Sequence, residues 1–204
     1  MKTFFIATSN RGKQKEIEKF ASQYGEGVAV RFPDDSNVIT VDETGATFEQ
    51  NAYVKARAYK TAVNDDSIYY VGDDSGIVIP ALNGEPGVFT RRWAGYEMTD
   101  DEILKYCLEK MNNFKGDDRK ATFETVLAVL GPNNTTEYFH SKMHGHILDR
   151  ALDVEPQAGF PFRSIFWVDD IDLPIYKVHA LDPDERKGFV THREGAFRQL
   201  FATI

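Results

Sequence analysis

The stretch "SIYYVGDDSGIVIPAL", residues 67–82, sets two adjacent aspartates between two apolar runs. "SIYYVG" and "GIVIPAL" read as strands, so Asp73-Asp74-Ser75-Gly76 reads as a turn joining them, and "NGEPGVF" after it as a further bend. Two readings of the aspartates stay open. Asp-Ser-Gly is ordinary turn material. Adjacent carboxylates also repel each other, so such a pair tends to bind a cation or to hold one raised pKa, and either state can activate water.

Upstream, "KTFFIAT" is a short apolar run ending in Thr8-Ser9-Asn10, which suits a buried strand leading into a helix N-terminus. Ile17, Phe20, Ala21 and Tyr24 then recur at helical spacing, and Gly25 is a stop. A second helix is marked by Phe48, Ala52, Ala56, Tyr59 and Val63, closed by Asn64-Asp65-Asp66. Asn51 and Lys55, four apart, share one of its faces. "TDDEILKYCLEKMNNF" has Thr99 and Glu102 at capping-box spacing. "KATFETVLAVLG" and "TTEYFHSKMHGHILD" read as neighbouring strands, "EPQAGFPFRSIFWV" as a shaped loop, and "THREGAFRQLFATI" as a helix with Phe197, Leu200 and Phe201 inward.

The 204 residues show no repeat and no linker, and predict one α/β domain over 1–204. With 24 Lys+Arg against 32 Asp+Glu, the formal charge of -8 argues against nucleic-acid binding but leaves room for a small polyanion held by local cations or a metal. The single Cys107 can form no internal disulfide and fits a reducing cytoplasm. No apolar run approaches the ~20 residues of a membrane span.

Other segments could carry chemistry. "TSNRGKQKEI" places Gly12-Lys13 between a strand and a helix, where backbone N–H groups and the helix dipole favour phosphate, although the full GxxxxGK[ST] spacing is missing and a plain helix start explains it as well. Glu43, ahead of the second helix, could add an oxygen to a hard cation such as Mg²⁺. Phe160 and Phe162 could stack on a base, and Lys187, His192 and Arg193 could meet its polar edge or the phosphates.

Taken in order, "ATSNRGKQKEI", "ETGATFEQNAYVKA", "DDSGIVIPALNGEPGVF" with Arg92, "RKATF", "GHI", "GFPF" and "KGFVTHREGAFRQL" resemble the inosine/xanthosine triphosphate pyrophosphatases over almost the whole chain. The resemblance implies a two-lobed, elongated α/β fold around a long mixed β-sheet, with a substrate cleft between the lobes, usually in a homodimer. It implies Mg²⁺-dependent hydrolysis of a nucleoside triphosphate to the monophosphate and pyrophosphate, with water attacking the α-phosphorus. By position Asp74 matches the general base and a metal ligand, Glu43 a second ligand, Asp73 a supporting acid and Lys55 a catalytic point charge. Thr8, Ser9, Asn10, Arg11, Gly12, Lys13, Asn51, Lys55, Ser75 and Lys187 match phosphate or sugar contacts. Phe160, Phe162, Arg163, His192 and Arg193 match the base-binding side.

The departures gather where the base would be read. Arg163 stands in place of the family's acid, Pro161 in place of a glycine, and Thr191 in place of a serine. A carboxylate accepts a hydrogen bond from a ring N–H, whereas a guanidinium only donates. Arg163 is therefore expected either to meet acceptors such as O6 and N7 of an oxopurine or to turn away toward an acid such as Asp169. Two alternatives accompany the leading one: the same hydrolysis on a different standard or modified nucleotide, and a nucleotide-binding protein without turnover.

Overall fold

In the computed structural model, residues 1–204 other than 35, 37 and 183 are described. Strands β1 (Lys2–Ile6), β2 (Val28–Arg31), β3 (Tyr69–Val78), β4 (Lys120–Leu130), β5 (Thr136–Ile147), β6 (Phe166–Val168) and β7 (Leu173–Pro174) form a seven-stranded sheet in the order β2-β1-β3-β4-β5-β6-β7. It is mixed: β1 runs parallel to both β2 and β3, while β6 is antiparallel to β5 and β7. Helices α1 (Arg11–Tyr24), α2 (Phe48–Val63), α3 (Asp100–Lys110), α4 (Ile175–Val178) and α5 (His192–Thr203) complete the α/β fold.

Most expected elements are present, with their caps. Asn10 caps α1, its side chain accepting from the N–H groups of Gly12 and Lys13, and Gly25 follows at the other end. Thr47 caps α2, which ends at Asn64 in the left-handed conformation. Thr99 and Glu102 form the reciprocal capping box of α3.

The expected turn at Asp73-Asp74-Ser75-Gly76 does not exist: these residues lie inside β3, a single strand of 10 residues. Turn-forming composition yields here to tertiary partners. Alternation sends Asp73 and Ser75 to one face and Gly72 and Asp74 to the other, and each carboxylate finds a cation on its own side.

The chain divides into two compact units: Met1–Ser75, Thr125–Ser141 and His192–Ile204 in one, Gly76–Glu124 and Lys142–Thr191 in the other. The first has two apolar clusters. Phe4, Ile6, Val71, Leu127 and Val129 of the strands pack with Ile17 and Phe20 of α1 and Phe197 and Leu200 of α5. Phe5 and Tyr70 pack with Ala56 and Tyr59 of α2. In the second unit Ile77, Ile79, Ile103, Met143, Phe162, Ile165 and Phe166 form the core around Cys107. Among the described residues no helix is long and apolar enough to cross a membrane.

Candidate active site

The first unit gathers the charged residues on both faces of β3. On the α2 face, the backbone at Gly72 lies against the helix: a Cβ there would overlap the carbonyl oxygen of Ala52 and come within 2.8 Å of its carbon and 3.0 Å of Ala56 N. Only a glycine lets the helix approach this closely. One turn along from Ala52, Lys55 meets the strand, and its Nζ lies 3.0 Å from Asp74 Oδ1 and 2.9 Å from Glu43 Oε2. Burial pulls the Lys55 ammonium down, but Asp74 and Glu43 outweigh it and hold the pKa above the ordinary lysine range. Asn51, on the same helix face, is 1% exposed and accepts from Gly45 N at 2.8 Å, which fixes the loop after Glu43.

Two polar atoms here are buried without a partner among the described residues, Asp74 Oδ2 and Asn51 Nδ2. Burial pushes the Asp74 carboxyl above its usual range despite Lys55 and Lys13, so it is a stronger proton acceptor than an exposed aspartate.

On the other face, Asp73 is wholly engaged. Lys13 Nζ is 3.2 Å from its Oδ1, Arg193 Nε is 2.9 Å from its Oδ2, and Ser75 Oγ donates to Oδ1 at 2.6 Å. Burial would raise its pKa, but the two cations hold the carboxyl well below the usual carboxylate range. Arg193 also pairs with Glu16 at 2.6 Å and donates to Ser75 Oγ at 3.2 Å, and Ser75 Oγ lies 2.9 Å from Thr125 Oγ1. Burial depresses Lys13 despite Asp73. Asp73 is thus a strut between α1 and α5, while Asp74 keeps a free oxygen.

Glu16 and Thr125 did not emerge from the sequence. Glu16 had a signal, since it sits three residues from Lys13 on one helix face. Thr125 had none, because its partner Ser75 is fifty positions away.

Of the loop Thr8 to Lys13, Thr8 Oγ1 accepts from Asn10 N at 3.3 Å and Asn10 Oδ1 holds the N–H groups of Gly12 (2.9 Å) and Lys13 (3.2 Å). Arg11 donates to Gln14 Oε1 at 3.1 Å, and Ser9 is exposed. His192, buried, opens α5 beside Arg193.

Phe160, Phe162 and Arg163, expected on the base side, and Lys187, expected as a phosphate or sugar contact, lie in the second unit. Turns tie their loop, with Gly159 N donating to Asp100 Oδ2 at 2.7 Å and Arg163 N to Phe160 O at 3.2 Å. Phe162 is 3% exposed and belongs to the core, its ring edge-on to Phe123, whereas Phe160 is half-buried. The Arg163 guanidinium lies over the Tyr176 ring, 5.8 Å from its centroid, and Arg163 Nε is buried without a partner among the described residues. Asp169, the acid considered for it, pairs with His146 instead. Lys187 is exposed in a left-handed turn, φ 50°.

Known proteins carry the same arrangement of chain. A dITP/XTP pyrophosphatase of Staphylococcus aureus (strain MW2) is 35% identical over 205 residues, spanning 100% of this chain and 97% of its own. Its counterpart in Listeria monocytogenes serotype 4b (strain F2365) is 32% identical over 200 residues, 98% and 93% of the two chains. Among solved structures, the Ham1 protein of Staphylococcus aureus superposes with a TM-score of 0.75 at 32% identity, over 98% of this chain and 97% of that one. A HAM1 protein from Coxiella burnetii gives 0.79 at 29% identity, over 99% and 98%. Residues 4–203 match the Ham1 family, and with relatives of this identity along the full length the chain belongs to that family.

Proposed function

We propose that this chain hydrolyses nonstandard purine nucleoside triphosphates, of the dITP and XTP kind that its relatives' names carry, to the monophosphate and pyrophosphate. The observation that carries this reading is Asp74: one carboxylate oxygen is held by Lys55 and the other is buried with no partner. A buried orphan acceptor calls for a cation or a water.

A triphosphate brings nearly four negative charges, and the residues present suit a hard divalent cation such as Mg²⁺: Asp74 Oδ2 is free, and Glu43 shares Lys55 with it. When bound, the ion would supply positive charge for the phosphate oxygens. Lys55, now shared by two carboxylates, and Lys13, on the opposite face of β3, add point charges toward the phosphates. Asn51 Nδ2 offers a buried donor to a phosphate or sugar oxygen. The Asp74 carboxylate orients a water and takes its proton as the water oxygen forms a bond to the α-phosphorus and the bond to the bridging pyrophosphate oxygen breaks. The raised pKa favours that acceptance. Asp73 works through position: tied to Lys13, Arg193 and Ser75, it holds β3 so that Asp74 stays in place.

Arg163 supports a second reading within the same reaction. Its Nε, unpartnered among the described residues, is a donor, so a base read by this residue would be one that presents acceptors, which includes oxopurines and extends to other standard or modified bases. Pyrophosphate release with Mg²⁺ across ITP, dITP, XTP and the standard nucleotides tests both. Preference for ITP, dITP and XTP supports the first reading, and preference for another base the second. Tight nucleotide binding without release would point to a binding protein.

A further inference from the structure

Strand β5 carries a feature that the proposed hydrolysis leaves unused. Met143, Gly145 and Ile147 are buried, so His144 and His146 lie on the opposite face of the strand, two residues and about 7 Å apart along it. His144 is exposed and His146 half-buried. Both rings are oriented through Nδ1. That of His146 lies 2.7 Å from Asp169 Oδ1, and that of His144 lies 3.2 Å from Thr122 Oγ1. A carboxylate can only accept, so His146 Nδ1 donates, and in the neutral ring this leaves the lone pair on Nε2; the Thr122 hydroxyl can accept from His144 in the same way. Neither Nε2 has a partner among the described residues.

Nearby groups fix the frame. Gly145, between the histidines, has no room for a side chain, because a Cβ would strike the Trp167 carbonyl oxygen and come within 2.6 Å of Phe166 Cζ. This close approach sets His146 directly opposite Trp167, and the two rings stack at 6.4 Å. Trp167 is tied in turn to Asp172 at 3.0 Å. Lys142, the cation next along the same face, is paired with Glu124 at 2.8 Å and so opposes an incoming cation less.

We propose that His144 and His146 chelate a borderline divalent ion, Ni²⁺ or Zn²⁺, through their Nε2 atoms, with Asp169 orienting one ligand and water filling the remaining positions. Two imidazoles on one strand face suit these metals, whereas Mg²⁺ requires oxygen ligands and stays with the carboxylates. A carboxylate hydrogen-bonded to the far nitrogen of a ligating histidine is the usual support of such a site. Among the described residues no group of three or more His, Cys, Asp or Glu side chains is placed to hold a metal, so the chelate stands on two protein ligands.

The test is a Ni²⁺ titration of the full, tag-free chain with excess Mg²⁺ present, followed by calorimetry and by quenching of tryptophan fluorescence in a Trp93→Phe background that leaves Trp167 as the one tryptophan. The parent should bind one Ni²⁺ per chain. His144→Gln and His146→Gln should each weaken it more than about tenfold, and Asp169→Asn by about 10- to 100-fold. His140→Gln, on the same strand, should leave binding unchanged. Circular dichroism confirms that each variant is folded. A parent that binds no Ni²⁺, or a folded His144→Gln/His146→Gln double variant that binds as the parent does, overturns the proposal.

Discussion

Replacing Gly72 by alanine tests how the site is positioned without touching any group that meets substrate. The added Cβ would lie inside the Ala52 carbonyl oxygen, 2.8 Å from the attached carbon and 3.0 Å from Ala56 N, all backbone atoms of α2. Backbone of a packed helix cannot swing aside as a long side chain can, so α2 has to retreat from β3 by about 1 Å. Lys55 sits on that helix, and its contacts with Asp74 and Glu43 are 3.0 and 2.9 Å, so a retreat of about 1 Å takes them from ordinary hydrogen-bond distance to beyond it. A misplacement of about 1 Å costs about 10²-fold in rate, and overpacking costs about 1–3 kcal/mol of stability. The assay is steady-state pyrophosphate release from dITP with Mg²⁺, alongside a thermal melt. The expected result is kcat lower by about two orders of magnitude in a protein that still melts cooperatively. A Gly72→Ala variant within twofold of the parent kcat would refute the positioning argument.

Further outcomes follow from the same geometry. Arg193→Ala takes from the buried Asp73 one of its two cations and from the half-buried Glu16 its guanidinium partner, and should cost about 3–5 kcal/mol, read as a drop in the denaturant midpoint. Because the folded Asp73 carboxyl titrates well below its unfolded value near 4, its stabilisation is complete above about pH 4 and drains away as the pH falls toward the folded pKa. The Tm of the parent should therefore fall more steeply between pH 4 and 2 than that of Asp73→Asn; equal slopes would count against the ionised strut. Burial pushes the Cys107 thiol up to about 12, so the folded protein should not react with an aromatic disulfide at pH 8 and the denatured protein should react with one equivalent. Arg163→Asp should shift the nucleotide preference measured as kcat/KM, and an unchanged panel would remove Arg163 from base recognition.

The four longer helices, α1, α2, α3 and α5, were legible because their signals are local, whereas the four-residue α4 was not read. Asn10, Thr99 with Glu102, and Asn64 act through neighbours two to four residues away, and the stripe of Phe48, Ala52, Ala56 and Tyr59 is a period of one helix. Asp73-Asp74 misled because its local composition is that of a turn, while what holds it in a strand comes from Lys13, Lys55 and Arg193, none of them near it in sequence. The same distance explains Arg193. As a basic residue near the C-terminus it reads as a substrate contact, yet it is 4% exposed and spends its guanidinium on Asp73, Glu16 and Ser75. Phe162 likewise reads as a stacking ring and lies in the core, leaving Phe160 as the more accessible of the pair.

The account is tested most directly by hydrolysing dITP in H₂¹⁸O with parent and Asp74→Asn proteins and reading the products by mass. Attack at the α-phosphorus predicts one ¹⁸O in the monophosphate and none in the pyrophosphate, with the Asp74→Asn rate about 10²- to 10⁴-fold lower for want of the general base. Label in the pyrophosphate, release of inorganic phosphate as the first product, or an Asp74→Asn rate equal to that of the parent would contradict it.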